Sequence, residues 1–287
     1  MTDPRKILRT RPAGDQHQVV TVHVRGPASR RHTKRPCADC PWRVDATGVF
    51  SAEAFRHSAE TAYDMATHTF ACHQAGEQRS AACAGFLLRG ADHNMKARMQ
   101  RMRGHLLQVA DGGHELHSCY ASMAIANGVS PEDPVLAPCR ESDYAVDLVE
   151  RAKAVAELAH ADQVDLAGAP YIKHVQRVAT RLQPDPDAVA VAWLHDVLED
   201  HPGHRDAVLG FPPRIVAAVL AITRQPGQNL ESYYAQVKAN PLALRVKAAD
   251  VADNSDPVRL ALLPASTAAW AWRKYAKARV ALGLEAP

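Results

Sequence analysis

The sequence predicts a mainly α-helical protein in two parts, an all-α C-terminal bundle preceded by a smaller, cysteine-rich and mostly helical domain. Three observations carry this. From Ser142 onward, apolar residues recur at helical spacing between capping and proline signals, and strand signals are absent. All six cysteines fall between Cys37 and Cys139, the last of them within a Pro-rich exit, PEDPVLAPCR. One stretch, Val189 to Asp200, joins an almost wholly apolar helix to four ionisable residues within six positions.

At 287 residues, two domains fit the usual prior. A hydrophobic content of 47% with 23% charged residues supplies enough apolar mass for real cores. No run approaches the roughly 18 to 20 apolar residues of a membrane span. The opening MTDPRKILRTRP lacks the apolar centre of a secretory signal. A cytoplasmic protein with no membrane partner is the expectation. In that compartment, six cysteines point to metal ligation or free thiols rather than to a disulfide framework.

The net charge of +3 is unevenly spread. Residues 1–35 hold nine basic residues against Asp3 and Asp15, leaving 25 basic and 29 acidic residues for the remainder. This reads as a basic, disordered arm, either a solvated leader or a holder of a polyanion such as nucleic acid. QVVTVHV (18–24) offers one short strand within it.

Residues 36–140 form the cysteine-rich, metal-binding candidate. Cys37-Ala38-Asp39-Cys40-Pro41-Trp42 is a C-x-x-C knuckle closed by proline. Helices are expected over 51–66, with Ser51 as N-cap, then over 92–109 and 115–127, the last stopped by Gly128. Cys37, Cys40, Cys72 and Cys83 can ligate zinc or hold an iron–sulfur cluster, with His73 able to replace one of them. Alternatively the C-x-x-C is a redox pair, or Cys72, Cys83 and Cys119 are small buried hydrophobes. The pattern P-C-x-x-C-P-W-R, F-A-C-H, C-A-G-F, M-A-x-A-N-G-V and P-C-R resembles an uncharacterised cysteine-rich domain family, a resemblance that implies no activity.

Residues 142–287 read as helices throughout. Ser142 caps one to His160, and Pro170 opens the next to about Leu182, with His174 early in it. Asp185-Pro186-Asp187 opens the organising helix. Further helices span about 212–223, 241–252 and 266–284, with Trp193, Trp270 and Trp272 expected to pack.

Charges buried without partners are costly, so His195 and Asp196 behind an apolar helix need compensation, and a divalent cation supplies it. Asp250 follows Leu242, Leu244 and Val246 and is expected to be buried too, with Asn254 one turn later on the same face. His174, His195, Asp196 and Asp250 offer two nitrogens and two oxygens, a set suited to manganese, iron or zinc. Glu199 and Asp200, each four residues after a ligand, line the rim and can act as general base and acid on a metal-bound water.

His174, His195-Asp196 and Asp250 resemble the metal-binding pattern of the HD-domain phosphohydrolases. More narrowly, H-A-D-Q-V-D-L-A-G-A-P-Y-I-K-H-V-Q-R-V-A (160–179), L-H-D-V-L-E-D (194–200) and K-A-A-D-V-A-D-N (247–254) are similar to the hydrolase domain of the RelA/SpoT enzymes and small alarmone hydrolases. The likeness covers about residues 145–284. It implies an HD helical bundle, a manganese ion and hydrolysis of the 3′-pyrophosphate of guanosine tetraphosphate. Under it, His174, His195, Asp196 and Asp250 bind metal, Glu199 and Asp200 activate water, and Asn254 contacts substrate. One position departs: Asp165 stands where those hydrolases place an arginine over the guanine, so the base is open. Nothing upstream resembles their synthetase domain.

The leading function is therefore a metal-dependent phosphohydrolase of a nucleotide, with guanosine tetraphosphate as named candidate and another nucleotide phosphate as alternative. A second class is a non-catalytic nucleotide or metal sensor whose cysteine-rich half engages nucleic acid or protein. A third places a redox or iron–sulfur switch in the cysteine half.

Overall fold

The computed structural model describes residues 5–14 and 17–284, so Asp3 and Asp15 of the basic arm and the last three residues lie outside the described residues. The chain is mainly helical and divides into two compact units, residues 1–147 with 184–186, and residues 148–183 with 187–287. Among the described residues, no helix is long and apolar enough to cross a membrane.

In the first unit the described residues of the basic arm carry a hairpin, where a disordered arm is expected. Strand β1 (Arg5–Pro12) pairs antiparallel with β2 (Gln18–Val24), from Arg5 opposite Val24 to Pro12 opposite Gln18, with an irregularity between Ile7 and Arg9. The reason is that its basic side chains find partners in the unit itself. Arg11 donates to the His57 carbonyl at 2.6 Å, and Arg5 to the Gln78 carbonyl at 2.6 Å.

Four short helices follow, α1 (Ala52–Ser58), α2 (Ala84–Arg89), α3 (Met95–Met102) and α4 (Tyr120–Ala126). They are shorter than the periodicity predicts, and the unit is largely turns and bridges rather than mostly helical. Ser51 stands at the N-cap of α1 as expected, but without a side-chain capping bond; its hydroxyl donates instead to the Ala13 carbonyl at 2.6 Å, fastening the hairpin. Residues 115–117 are drawn out of helix into pairing with the C-x-x-C exit, His117 donating to the Trp42 carbonyl and Val44 to that of Glu115. Left-handed Gly104, Leu106 and Gln108 end α3 early.

Trp42 organises this core. It is fully buried against Phe70, Phe86 and Tyr120. A Cβ on Gly85 would fall 2.4 Å from the Trp42 Cβ, so only glycine permits α2 to lie this close.

Helix α5 (Asp143–Ala159) begins in the first unit, because Ala145 packs on Cys119 and Ala121 and Tyr144 lies under the Arg89 guanidinium. The boundary thus falls at Asp147, several residues after the Pro-rich exit. Ser142 does cap α5, accepting from the Ala145 amide at 3.1 Å.

The second unit carries α6 (Ile172–Thr180), α7 (Pro186–Leu194), α8 (Val197–Asp200), α9 (Arg205–Leu209), α10 (Pro213–Ile222), α11 (Leu230–Ala239), α12 (Pro241–Asn254), α13 (Pro257–Leu260) and α14 (Ala265–Leu282). Every residue from Ala188 to Leu194 is buried, as an all-round apolar helix demands. Asp187 at the head of α7 grips Arg214 of α10 through two contacts of 2.7 and 2.9 Å. Helix α12 is the hub, packing on α6, α10, α11 and α14. Its inward face buries Ala243, Val246, Asp250 and Asp253, three and four residues apart. Trp193 is in the core, whereas Trp270 and Trp272 are about half exposed, at 51% and 47%, on the open side of α14.

Candidate metal centre

The apolar helix ends where its chemistry begins. α7 stops at Leu194, and His195-Asp196 form a break before α8. One helical turn survives across it, since the Asp200 amide donates to the Asp196 carbonyl at 2.9 Å. His174 enters from α6 and Asp250 from the middle of α12.

These four side chains converge. One atom from each of His174, His195 and Asp196 lies within 4.8 Å of the others. Asp250 Oδ1 is 3.3 Å from His174 Nε2 and 3.8 Å from His195 Nε2. Asp196 Oδ2 is 2.9 Å from His195 Nε2 and 3.9 Å from His174 Nε2.

Each imidazole has its other nitrogen engaged. His174 Nδ1 donates to Asp253 Oδ2 at 2.7 Å, and His195 Nδ1 to the Ala192 carbonyl at 2.7 Å. With Nδ1 carrying the proton, Nε2 keeps a lone pair. Both Nε2 atoms are buried without a hydrogen-bond partner, the carboxylates approaching off the ring N–H axis. Two lone pairs and two carboxylates this close repel unless positive charge stands among them, either the protons of the imidazolium forms or a cation in their place. The donor set therefore fits a divalent metal held by two nitrogens and two oxygens.

The electrostatics carry the same signature. Burial pulls the His195 imidazole toward its neutral form, yet Asp196 and Asp250 more than offset this and hold its pKa up to about 10. Burial opposes a charge on His174 too, and Asp250 and Asp253 raise it regardless. Desolvation would lift Asp196 and Asp250, but the His195 charge keeps the first below the usual carboxylate range, and Lys247 with the two imidazoles keeps the second well below it.

Several residues of this site carry no expectation from the sequence. Tyr171 donates to Asp196 Oδ2 at 2.5 Å, and Lys247 contacts Asp250 Oδ2 at 2.8 Å. Asp253 takes His174, Arg177 at 2.8 Å and Arg259 at 2.5 Å. Lys247 and Asp253 each lie three residues from Asp250, on its helix face, which is the signal that could have found them. Arg259 arrives from α13 and no local pattern marks it.

The rim residues are placed differently from one another. Glu199 and Asp200 are both exposed. Asp200 accepts from Gln163 Nε2 at 2.8 Å, and the Gln163 carbonyl oxygen faces His160 Nδ1 at 2.6 Å and His201 Nε2 at 2.8 Å. Glu199 accepts the Arg224 amide at 3.0 Å and lines a separate groove of about 610 Å³ with Arg205 and Arg224. Asn254 donates to Asp250 Oδ1 at 2.5 Å. Asp165 accepts the Ala167 and Ala169 amides and pairs with Arg259 at 3.2 Å.

In the first unit, Cys40 and Cys83 lie 3.5 Å apart, and Cys37 Sγ is 3.8 Å from His73 Nδ1. The neighbouring Cys40 thiol pushes Cys37 up to about 11. At Cys40 the contact with Cys37 pulls downward, but Cys83 and burial prevail and take it to about 12. Cys119 reaches Ser122, and Cys139 reaches the Ala59 and Val135 carbonyls.

Residues 32–140, which include all six cysteines, match the model of a family described as a family of unknown function, DUF6283.

Proposed function

We propose that the second unit is a metal-dependent phosphohydrolase of the HD type acting on a nucleotide, with the 3′-pyrophosphate of guanosine tetraphosphate as the named candidate. The observation that carries this is the convergence of His174, His195, Asp196 and Asp250 with two orphaned imidazole Nε2 atoms. These four residues would hold the cation, manganese by the resemblance. Such an ion, when bound, lowers the pKa of a coordinated water and polarises a phosphoryl oxygen.

The chain's own residues divide the remaining work. Asp253 and the Ala192 carbonyl fix both imidazoles in the tautomer that presents Nε2. Tyr171, Lys247 and Asn254 hold the two carboxylates in place and ionised. Of the two rim acids, Asp200 is tied into the site through Gln163 and His160, which supports it as the group that takes and returns the proton of the attacking water. Glu199, held by the Arg224 amide, supports the same turn from its far side. Asn254 sits beside Asp250 and within 3.4 Å of Arg259, where a phosphate or ribose oxygen can reach both.

The alternative substrate, another nucleotide phosphate, has one observation in its favour. Asp165 is committed to Arg259 and to two loop amides, so it offers no cation to a purine face.

The test is hydrolysis of a nucleotide panel with manganese, following released phosphate and pyrophosphate. Turnover should vanish in chelator and in Asp196→Ala, and return with manganese in the parent chain. Undiminished turnover by Asp196→Ala would refute the site.

A further inference from the structure

Four of the six thiols of the first unit, Cys37, Cys40, Cys72 and Cys83, have no part in the chemistry proposed above, and local geometry groups them from three segments. Cys37 and Cys40 sit on one tight turn, closed by the Cys40 amide donating to the Cys37 carbonyl at 3.2 Å and stiffened by Arg43, which donates to that same carbonyl at 3.1 Å. Cys72 and Cys83 come from the two ends of a loop that closes on itself. Ala71 bridges Ala82 antiparallel, flanked by bonds from the Cys72 amide to the Ala81 carbonyl and from the Cys83 amide to the Phe70 carbonyl, both 2.9 Å. In such a ladder residues 70, 72, 81 and 83 share a face, so Cys72 and Cys83 point to the same side.

The two segments are then locked in register by the core. Trp42 stands two residues after Cys40 and Gly85 two residues after Cys83, and the tryptophan nests where a Gly85 Cβ would be. That interlock sets Cys40 Sγ 3.5 Å from Cys83 Sγ. Cys37 shares the turn of Cys40, and Cys72 shares the ladder face of Cys83, so the close Cys40–Cys83 pair links the two segments, and all four are free thiols. Three of them, Cys40, Cys72 and Cys83, are buried.

From this arrangement we infer that Cys37, Cys40, Cys72 and Cys83 form a mononuclear tetrathiolate zinc site that staples the C-x-x-C turn to the 72–83 loop. A tetrahedral ion with sulfur at about 2.3 Å sets neighbouring sulfurs about 3.8 Å apart, near the Cys40–Cys83 separation. Binding displaces the four thiol protons to solvent and draws the four sulfurs of the two segments into one coordination sphere. His73 stays outside as a partner of Cys37. Cys119 and Cys139, which hydrogen-bond elsewhere, take no part. The role is structural: in a unit of short helices and turns, the metal crosslinks two loops that no regular element joins.

The experiment uses the full chain loaded with cobalt in place of zinc. A tetrathiolate site gives intense thiolate-to-cobalt charge transfer in the near ultraviolet, which a site of imidazoles and carboxylates does not. The band is expected in the parent chain, in His195→Ala, in Cys119→Ser and in Cys139→Ser, and lost in Cys83→Ser. Because Cys83→Ser can fail to fold, Cys72→His serves as the ligand-conserving variant, keeping metal while shifting the band. In the zinc form, an organomercurial should release a single zinc ion per chain to a metallochromic dye. Thiols that react with the mercurial without releasing metal would overturn the inference. So would a brown protein carrying iron and acid-labile sulfide.

Discussion

His174 Nδ1 lies 2.7 Å from Asp253 Oδ2, and this one hydrogen bond decides which nitrogen of the imidazole faces Asp196 and Asp250. Asp253 is itself only 1% exposed, gripped by Arg177 and Arg259, so it holds the ring without being a ligand. Asp253→Asn keeps the shape but can present its amide nitrogen to the ring. Manganese affinity, measured by calorimetry, should fall about 10- to 100-fold. Affinity unchanged from the parent would remove Asp253 from the site.

The same carboxylate makes a pH prediction. Burial would raise Asp253, but His174 and Arg177 bonds win and hold it down to about 2, below the ordinary 3.8. A depressed folded pKa stabilises the protein above the unfolded value, and that stability drains away as pH falls from about 4 to about 2. That contribution is about 2 kcal/mol. Denaturant midpoints across this window should lose less in Asp253→Asn than in the parent; parallel acid limbs would contradict the assignment.

His195 has the opposite sign. Its folded pKa is raised to about 10, so in chelator the imidazolium stabilises the fold below pH 6.5 and that contribution is lost as pH climbs toward 10. Protons and metal compete for the same Nε2, so manganese affinity should strengthen as pH rises over this range. A flat affinity profile between pH 6 and 9, taken as a rough window, would sink the idea that His195 is a ligand.

Asp165→Arg places a guanidinium where Arg259 already lies within 3.2 Å of the carboxylate. It also removes the acceptor of the Ala167 and Ala169 amides. The variant should be less stable by roughly 1–3 kcal/mol rather than gain affinity for guanine nucleotides. An unchanged melting temperature with a lowered KM for guanosine tetraphosphate would show that the loop re-forms around the new side chain.

Gly85→Ala tests the core of the first unit. Its Cβ would meet Trp42 at 2.4 Å, and overpacking of this kind costs typically 1–3 kcal/mol. Chemical unfolding monitored by tryptophan fluorescence reads it; a variant as stable as the parent would mean that Trp42 has room to move.

Much of this protein was legible in its residue order. The apolar run of α7, the acid and histidine residues set behind it, the capping of α5 by Ser142 and the helical character of residues 142–284 follow from local spacing and side-chain chemistry. The short strand at 18–24 was visible by composition. The hairpin was not, because Arg5 and Arg11 read as solvated charge until Gln78 and His57 offer their carbonyls. Helix over 115–119 failed for the same reason, since backbone pairing with residues 42–44 outbids local propensity.

By itself, then, the order of residues determined which side chains could carry chemistry and which helices would bury them. Tertiary structure alone decided their partners: Asp253 behind His174, Arg259 across to Asp165, Cys40 against Cys83. Periodicity reports neighbours three or four residues away, whereas these pairs join positions dozens of residues apart, whose meeting depends on how α6, α12 and α13 or the cysteine loops pack.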